Sequence, residues 1–245
     1  FLKTKNVGAI LPEVVNAEYN YINIDCRFKY NLKNTDSTVF EIETAVASVI
    51  SEYSDNELAK FDGVLRYSKL LSAVDATDVG IENSIIYLTM YKKIKPNPLA
   101  TVDYVTTFPT EIYKSSESDE NIVFSSTFFI DGLLSEIKDE PMLNGTKDRR
   151  LYIVDSLTGI KISKYSDIGY ADVSEGKIYI NSIKFDTSNE LDIFIRPDAF
   201  DIAPKFNQIL TISSNDIKVK GYIDTIAAYD LAGISSYVSF TADGG

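Results

Sequence analysis

Without a histidine and with a single cysteine, this sequence leaves acid–base and metal chemistry mainly to its carboxylates. Histidine is the commonest general base and a leading metal ligand. Its absence excludes Ser-His-Asp and Cys-His arrangements and any histidine-ligated metal centre. One thiol, Cys26, can build neither a disulfide nor a thiolate metal site within the chain. Two kinds of carboxylate chemistry stay open: an acid and base pair about 5 to 9 Å apart, as in a glycosidase, and an oxygen-ligand calcium loop. The candidate clusters are Asp75 with Asp78, Glu117 with Asp119 and Glu120, and Asp139 with Glu140. Each sits among turn residues and none has calcium-loop spacing, so each reads first as solvated surface. No phosphate-cradling glycine loop followed by Lys-Ser/Thr occurs, and no dinucleotide fingerprint. The residues therefore assign no catalytic, metal or cofactor site.

A net charge of −12 argues against a nucleic-acid partner, because a phosphate backbone rewards proteins that release its condensed cations. A basic or neutral protein partner suits it better. No apolar run approaches the roughly 20 residues of a membrane span, so no membrane is expected. The sequence starts at Phe1 rather than Met, which reads as a fragment or a processed product.

The elements that would position any site centre on residues 38–91. Val39, Ile42, Val46, Val49, Ile50 and Tyr53 fall on one helical stripe, and Thr38 with Glu41 forms a capping box at its start. Ser54 and Glu57 repeat that signal, so the helix should break and restart near Tyr53. A third helical piece, opening at Asp62, carries Val64, Tyr67, Leu71 and Val74, and Asp75, Asp78 and Gly80 supply the turn out of it. Before the helices, residues 18–30 alternate: Ile22, Ile24, Cys26, Phe28 and Tyr30 share one face, while Asn23, Asp25, Arg27 and Lys29 share the other. After the helices, Val79 to Tyr91 reads as a strand whose latter half is apolar on both faces. One face must meet the helices and the other something else.

This pattern defines an α+β fold: helices packed on a small antiparallel sheet as a β–α–α–β unit, followed by a mostly β C-terminal region. Pro96 and Pro98 mark a boundary, giving a leading segment 1–17, a β–α–α–β domain 18–95 and a mainly β domain 96–245 that could dimerise. In the last of these, strands are expected at 101–108, 122–130, 151–154, 160–162, 177–185 and 191–195. Residues 131–150 read as irregular, with a turn at Asn144–Gly145. Strands at 208–212 and 217–223 should pair across residues 213–216, ahead of a short helix at 225–231. The two-sided strand and an aromatic strand make Ile86, Leu88, Met90, Phe124 and Phe129 the candidate interface residues.

Two further runs carry a resemblance. Asp201-Ile-Ala-Pro-Lys-Phe-Asn-Gln-Ile-Leu210 and Ile168-Gly-Tyr-Ala-Asp-Val-Ser-Glu-Gly-Lys-Ile178 resemble the C-terminal half of a baseplate wedge protein from contractile-tailed phages of the T-even type. Phe40 to Met90 is similar to the module such proteins share with the J-like baseplate family. The resemblance implies a structural subunit without cofactors, located in the tail baseplate of the virion. It also implies a homodimer that joins further copies in an inner ring, with other wedge proteins and the hub as partners. That ring would anchor sheath and tube and widen as the baseplate switches on host contact. The rival is a carbohydrate-binding or carbohydrate-cleaving β-rich module, suggested by 16 tyrosines and the surplus of carboxylates.

Overall fold

The structure, a computed structural model, describes residues 17–115, 121–142, 148–205 and 207–225. The leading residues 1–16, the Glu117, Asp119 and Glu120 cluster, the Asn144–Gly145 turn and the expected helix at 225–231 lie outside the described residues.

Alternation builds β1 (Glu18–Tyr30), whose even-numbered side chains from Asn20 to Tyr30 are buried. The helical stripe builds α1 (Val39–Tyr53), where Thr38 and Glu41 cap the N-terminus reciprocally and Ile42, Val46, Ile50 and Tyr53 are buried. The helix does not break and restart at Tyr53: Ser54 keeps helical dihedrals and donates its N–H to the Ile50 and Ser51 carbonyls, so it caps nothing, and α1 widens directly into a five-residue π-turn at Ser54–Leu58. The second helix, α2 (Tyr67–Asp75), has no cap of its own from Arg66. Its first N–H instead donates to Asp201, 134 residues away, at 3.0 Å. β2 (Ile81–Ile94) returns antiparallel to β1, placing Ile24 opposite Leu88 and Cys26 opposite Ile86.

The fold is a β-rich α+β arrangement, and β1 and β2 do not make a sheet by themselves. Their six-stranded sheet recruits β4 (Val123–Ser125), β10 (Leu191–Ile195), β11 (Gln208–Thr211) and β12 (Ile217–Ile223), in the order β11-β1-β2-β10-β4 with β12 also on β1. Strands from both sides of the proline-rich stretch at 96–98 thus share one sheet. A second six-stranded sheet, in the order β3-β9-β8-β7-β6-β5, is an antiparallel meander. It comprises β3 (Val102–Thr107), β5 (Phe128–Ile130), β6 (Leu133–Pro141), β7 (Arg149–Asp155), β8 (Gly169–Asp172) and β9 (Lys177–Ile183).

Several expectations need correcting. The stretch 122–130 is two short strands in different sheets, because the chain crosses between them at Ser126–Thr127. Residues 133–141 are a strand rather than an irregular segment. Their charges conceal a regular alternation, with Ser135, Ile137 and Asp139 inward and Glu136, Lys138 and Glu140 toward solvent. β11 and β12 do not pair with each other. Ser214–Asp216 forms a single 3-10 turn that carries the chain onward, so both strands run parallel to β1, one after the other along its edge.

One continuous apolar core joins the helices to both sheets. The run from Asp201 to Leu210 ties these layers together. Asp201 caps α2, Ile202 bridges Leu65, and the Lys205 ammonium donates to the Phe108 and Glu175 carbonyls. The Gln208 amide donates to the Thr107 carbonyl at 3.3 Å.

Candidate interaction surface

Helices cover one face of the first sheet, and the odd-numbered residues of β1 and β2 project from the opposite face. Register brings rings from four strands together there: Tyr21 opposes Tyr91, Tyr91 opposes Phe194, and Phe194 opposes Phe124. Tyr21 stacks on Tyr91 at 4.9 Å, Tyr91 lies 5.1 Å from Phe194, and Phe194 stacks on Phe124 at 4.9 Å and 6°. Tyr19, about half exposed, extends the row at 6.3 Å from Tyr21. Each such pair contributes about 0.5–1.5 kcal/mol beyond its buried area. The Tyr91 hydroxyl donates to Asp216 at 2.7 Å, and burial together with that carboxylate raises its pKa.

Beside the aromatic row the same face carries charges of both signs, Asp192 of β10 facing Lys93 of β2 and Asp216 accepting from Tyr91. Arg27 donates to Asp25 at 2.9 Å and places its guanidinium 5.2 Å from the centre of the Tyr87 ring. Lys218 and Lys220 of β12 lie beside Asp25 and Arg27 in parallel register, and both are exposed. Lys29 follows two residues along β1, paired with Tyr222.

The five candidate interface residues divide. Ile86, Leu88 and Met90 are buried against the chain's own helices and core, so a charge placed there would disrupt folding rather than probe a partner. β2 is apolar on both faces, and hydrophobicity alone cannot choose between its parities. Pairing with Ile24 and Cys26 of β1 makes the choice, leaving Ile85 and Tyr87 on the open face. Phe124 is on that face. Phe129 is 52% exposed but belongs to β5, the edge of the second sheet, so it is not part of the same surface. Sequence reasoning missed Tyr19, Tyr21, Tyr91 and Phe194, which are far apart in the chain. The only sequence signal was the shared odd parity of the tyrosines in β1 and β2.

The acidic clusters resolve into structural contacts. Asp75 accepts from Ser84 at 2.5 Å. Asp78 accepts from the Thr35 and Ser37 hydroxyls and the Gly80 N–H; burial acts to raise its pKa, but these hydrogen bonds outweigh it and the net shift is downward. Asp139 and Glu140 point to opposite faces of β6. Asp139 is buried and ion-paired with Arg149, whereas Glu140 meets Lys161 at 2.7 Å. Among the described residues no group of three or more Cys, Asp or Glu is placed to hold a metal ion. Cys26 is fully buried, and burial with nearby Asp25 and Asp75 pushes its thiol up to about 12, far from a reactive thiolate. An open cleft of about 380 Å³ lies between β2 and β3, lined among others by Glu18, Lys92, Lys93 and Thr107. Glu18 is its one lining carboxylate, and the ion pair with Lys92 at 3.0 Å lowers its pKa. No helix among the described residues is long and apolar enough to cross a membrane.

Chemically, then, this geometry offers an extended surface for contact. Comparison with known proteins points to a class. Residues 18–93 match the family model described as baseplate structural protein gp6, C-terminal domain III. That match runs from the first residue of β1 through both helices to the penultimate residue of β2, about a third of the chain. It supports a baseplate structural role for the part of the chain that builds the centre of the open face. No curated protein matches the chain.

Proposed function

We propose that this chain is a structural subunit of a contractile phage tail baseplate, acting by contact with further copies of itself and with other wedge and hub proteins. The single observation that carries the reading is the likeness of residues 18–93 to a baseplate domain, falling on strands whose outer face is an aromatic and charged surface. In this reading the chain is a wedge component of the J-like baseplate family and carries no catalytic site. Its C-terminal region self-associates, the copies close an inner ring around the hub, and the ring supports tail assembly and the switch during infection. The assembly site would be the host cytoplasm and the final location the virion.

The aromatic row favours a protein partner over a carbohydrate. A sugar stacks on an exposed ring face, whereas Phe194 and Phe124 already occupy each other's faces and present edges outward. Gold-labelled antibody to the chain, applied to the virus particles that carry it, should mark the tip of the tail at the baseplate. Label confined to the capsid or distributed along the tail tube would contradict the proposal.

A further inference from the structure

β12 is bonded along one edge only. Asp224, just after it, donates its N–H to the Tyr30 carbonyl, so the even-numbered residues turn their backbone groups toward β1. The odd-numbered Ile217, Val219, Gly221 and Ile223 therefore point theirs outward, and among the described residues no strand meets them. Gly221 confirms the direction, since its N–H donates to the Glu43 carboxylate of α1 at 2.9 Å. A seven-residue row of outward backbone donors and acceptors is a template for one more strand. The side chains along this edge differ by face. On the helix side lie Ile217 and Val219, partly buried, and Ile223, 47% exposed. Phe40 joins them at 73% exposed, three residues before Glu43 on α1 and thus on the same side of the helix. On the open side Lys218 and Lys220 are exposed. The strand that suits this edge is apolar on one face and polar on the other.

The sequence beyond Thr225, which lies outside the described residues, holds such a pattern. In 234–242, Ile234, Val238, Phe240 and Ala242 share one parity, interrupted only by Ser236, while Ser235, Tyr237, Ser239 and Thr241 share the other. We infer that residues 234–242 add as a strand to the outer edge of β12. Their even positions meet Phe40, Val219 and Ile223 on the helix side, and their odd positions widen the open face. Ten residues, 224–233, join the two strands. That is fewer than the dozen or more of a parallel crossover, so the added strand runs antiparallel. At a rise of about 3.3 Å per residue the segment reaches about 30 Å, enough to cover the roughly 23 Å of β12. The Glu43 side chain swings aside, and a backbone carbonyl of the new strand takes the Gly221 N–H in its place. Main-chain bonds hold the strand, and its alternate side chains make the match specific. The addition removes an edge on which a foreign strand could polymerise. It holds whatever the open face itself contacts.

Amide hydrogen exchange of the whole chain, resolved by residue with NMR, is the test. In the wild type the outward N–H groups of Val219 and Ile223 should exchange slowly. Val238→Asp/Phe240→Asp should speed both on the order of tenfold or more, while the Lys218 and Lys220 amides, which face β1, stay slow. Glu43→Ala, which leaves the segment intact, should keep the Gly221 amide slow because a strand carbonyl holds it. Wild-type Val219 and Ile223 amides that exchange as fast as those of exposed loops overturn the inference. So does slow exchange that survives Val238→Asp/Phe240→Asp, or a Gly221 amide that becomes fast in Glu43→Ala. Protection that falls on dilution assigns the strand to a second copy and overturns its addition within one chain.

Discussion

Replacing Arg149 by Met is expected to cost the fold about 3–5 kcal/mol, because it leaves the buried Asp139 carboxylate without its counter-charge. Arg149 also donates to the Ser115 carbonyl at 2.7 Å, and Asp139 accepts the Ile122 N–H at 3.0 Å. The pair therefore ties Ser115 and Ile122 to the second sheet. Burial raises the Asp139 pKa, while Arg149 and the Ile122 and Val123 N–H groups pull it back only partly. Without the guanidinium the folded-state pKa rises further, and the sign of the pH dependence follows. A group with a raised folded pKa gives stability that is fully present below its unfolded pKa and is lost as pH rises through the folded value. The deficit of Arg149→Met relative to wild type should thus be smallest at acid pH and grow as pH climbs past the usual carboxylate range. Urea titrations of both proteins from pH 4 to 8 measure it. A deficit independent of pH would mean that lost packing, not an uncompensated charge, dominates. Replacing Asp139 by Leu in the same chain should restore part of the loss, since an apolar pair often substitutes for a buried ion pair.

Gly169→Ala should be comparably damaging, for a different reason. Gly169 opens β8 with φ of 145°, and a Cβ there would lie 2.0 Å from the Tyr179 carbonyl oxygen. That oxygen belongs to the backbone of β9, the strand next to β8, so no rotamer change relieves the overlap. Because β8 sits between β7 and β9, displacing it breaks the second sheet in its middle. A loss of about 4 kcal/mol or more is expected, lowering Tm by roughly 8–16 °C in a chain of this size. A drop of less than about 2 °C would show that the strands can separate locally without cost.

Where one face of an element was buried and the other solvated, sequence sufficed. The parity of β1, the stripe and capping box of α1, and the extents of β10 and β12 were all legible. Legibility failed where burial and polarity part company. β6 hides a buried acid, Asp139, whose partner Arg149 lies across the hairpin, so its alternation looks like a charged loop. It failed again where long-range pairing decides. Nothing local says that β11 and β12 both add to β1, or that β10 and β4 come alongside β2. The same limit governed the surface. A two-sided apolar strand leaves its outward parity open, and which residues face outward depends on register with β1. The aromatic row exists only once four strands are aligned.

The central claim is that this chain acts through the outer face of its first sheet. Sedimentation equilibrium of the wild type and of Tyr87→Ser/Phe124→Ser, from low to high micromolar concentration, tests it most directly. Both side chains lie on that face and outside the buried core, so the variant should keep a cooperative melt. The account predicts a wild type that gains mass with concentration and a folded variant that stays at the monomer mass. A folded variant that assembles as readily as the wild type would contradict it.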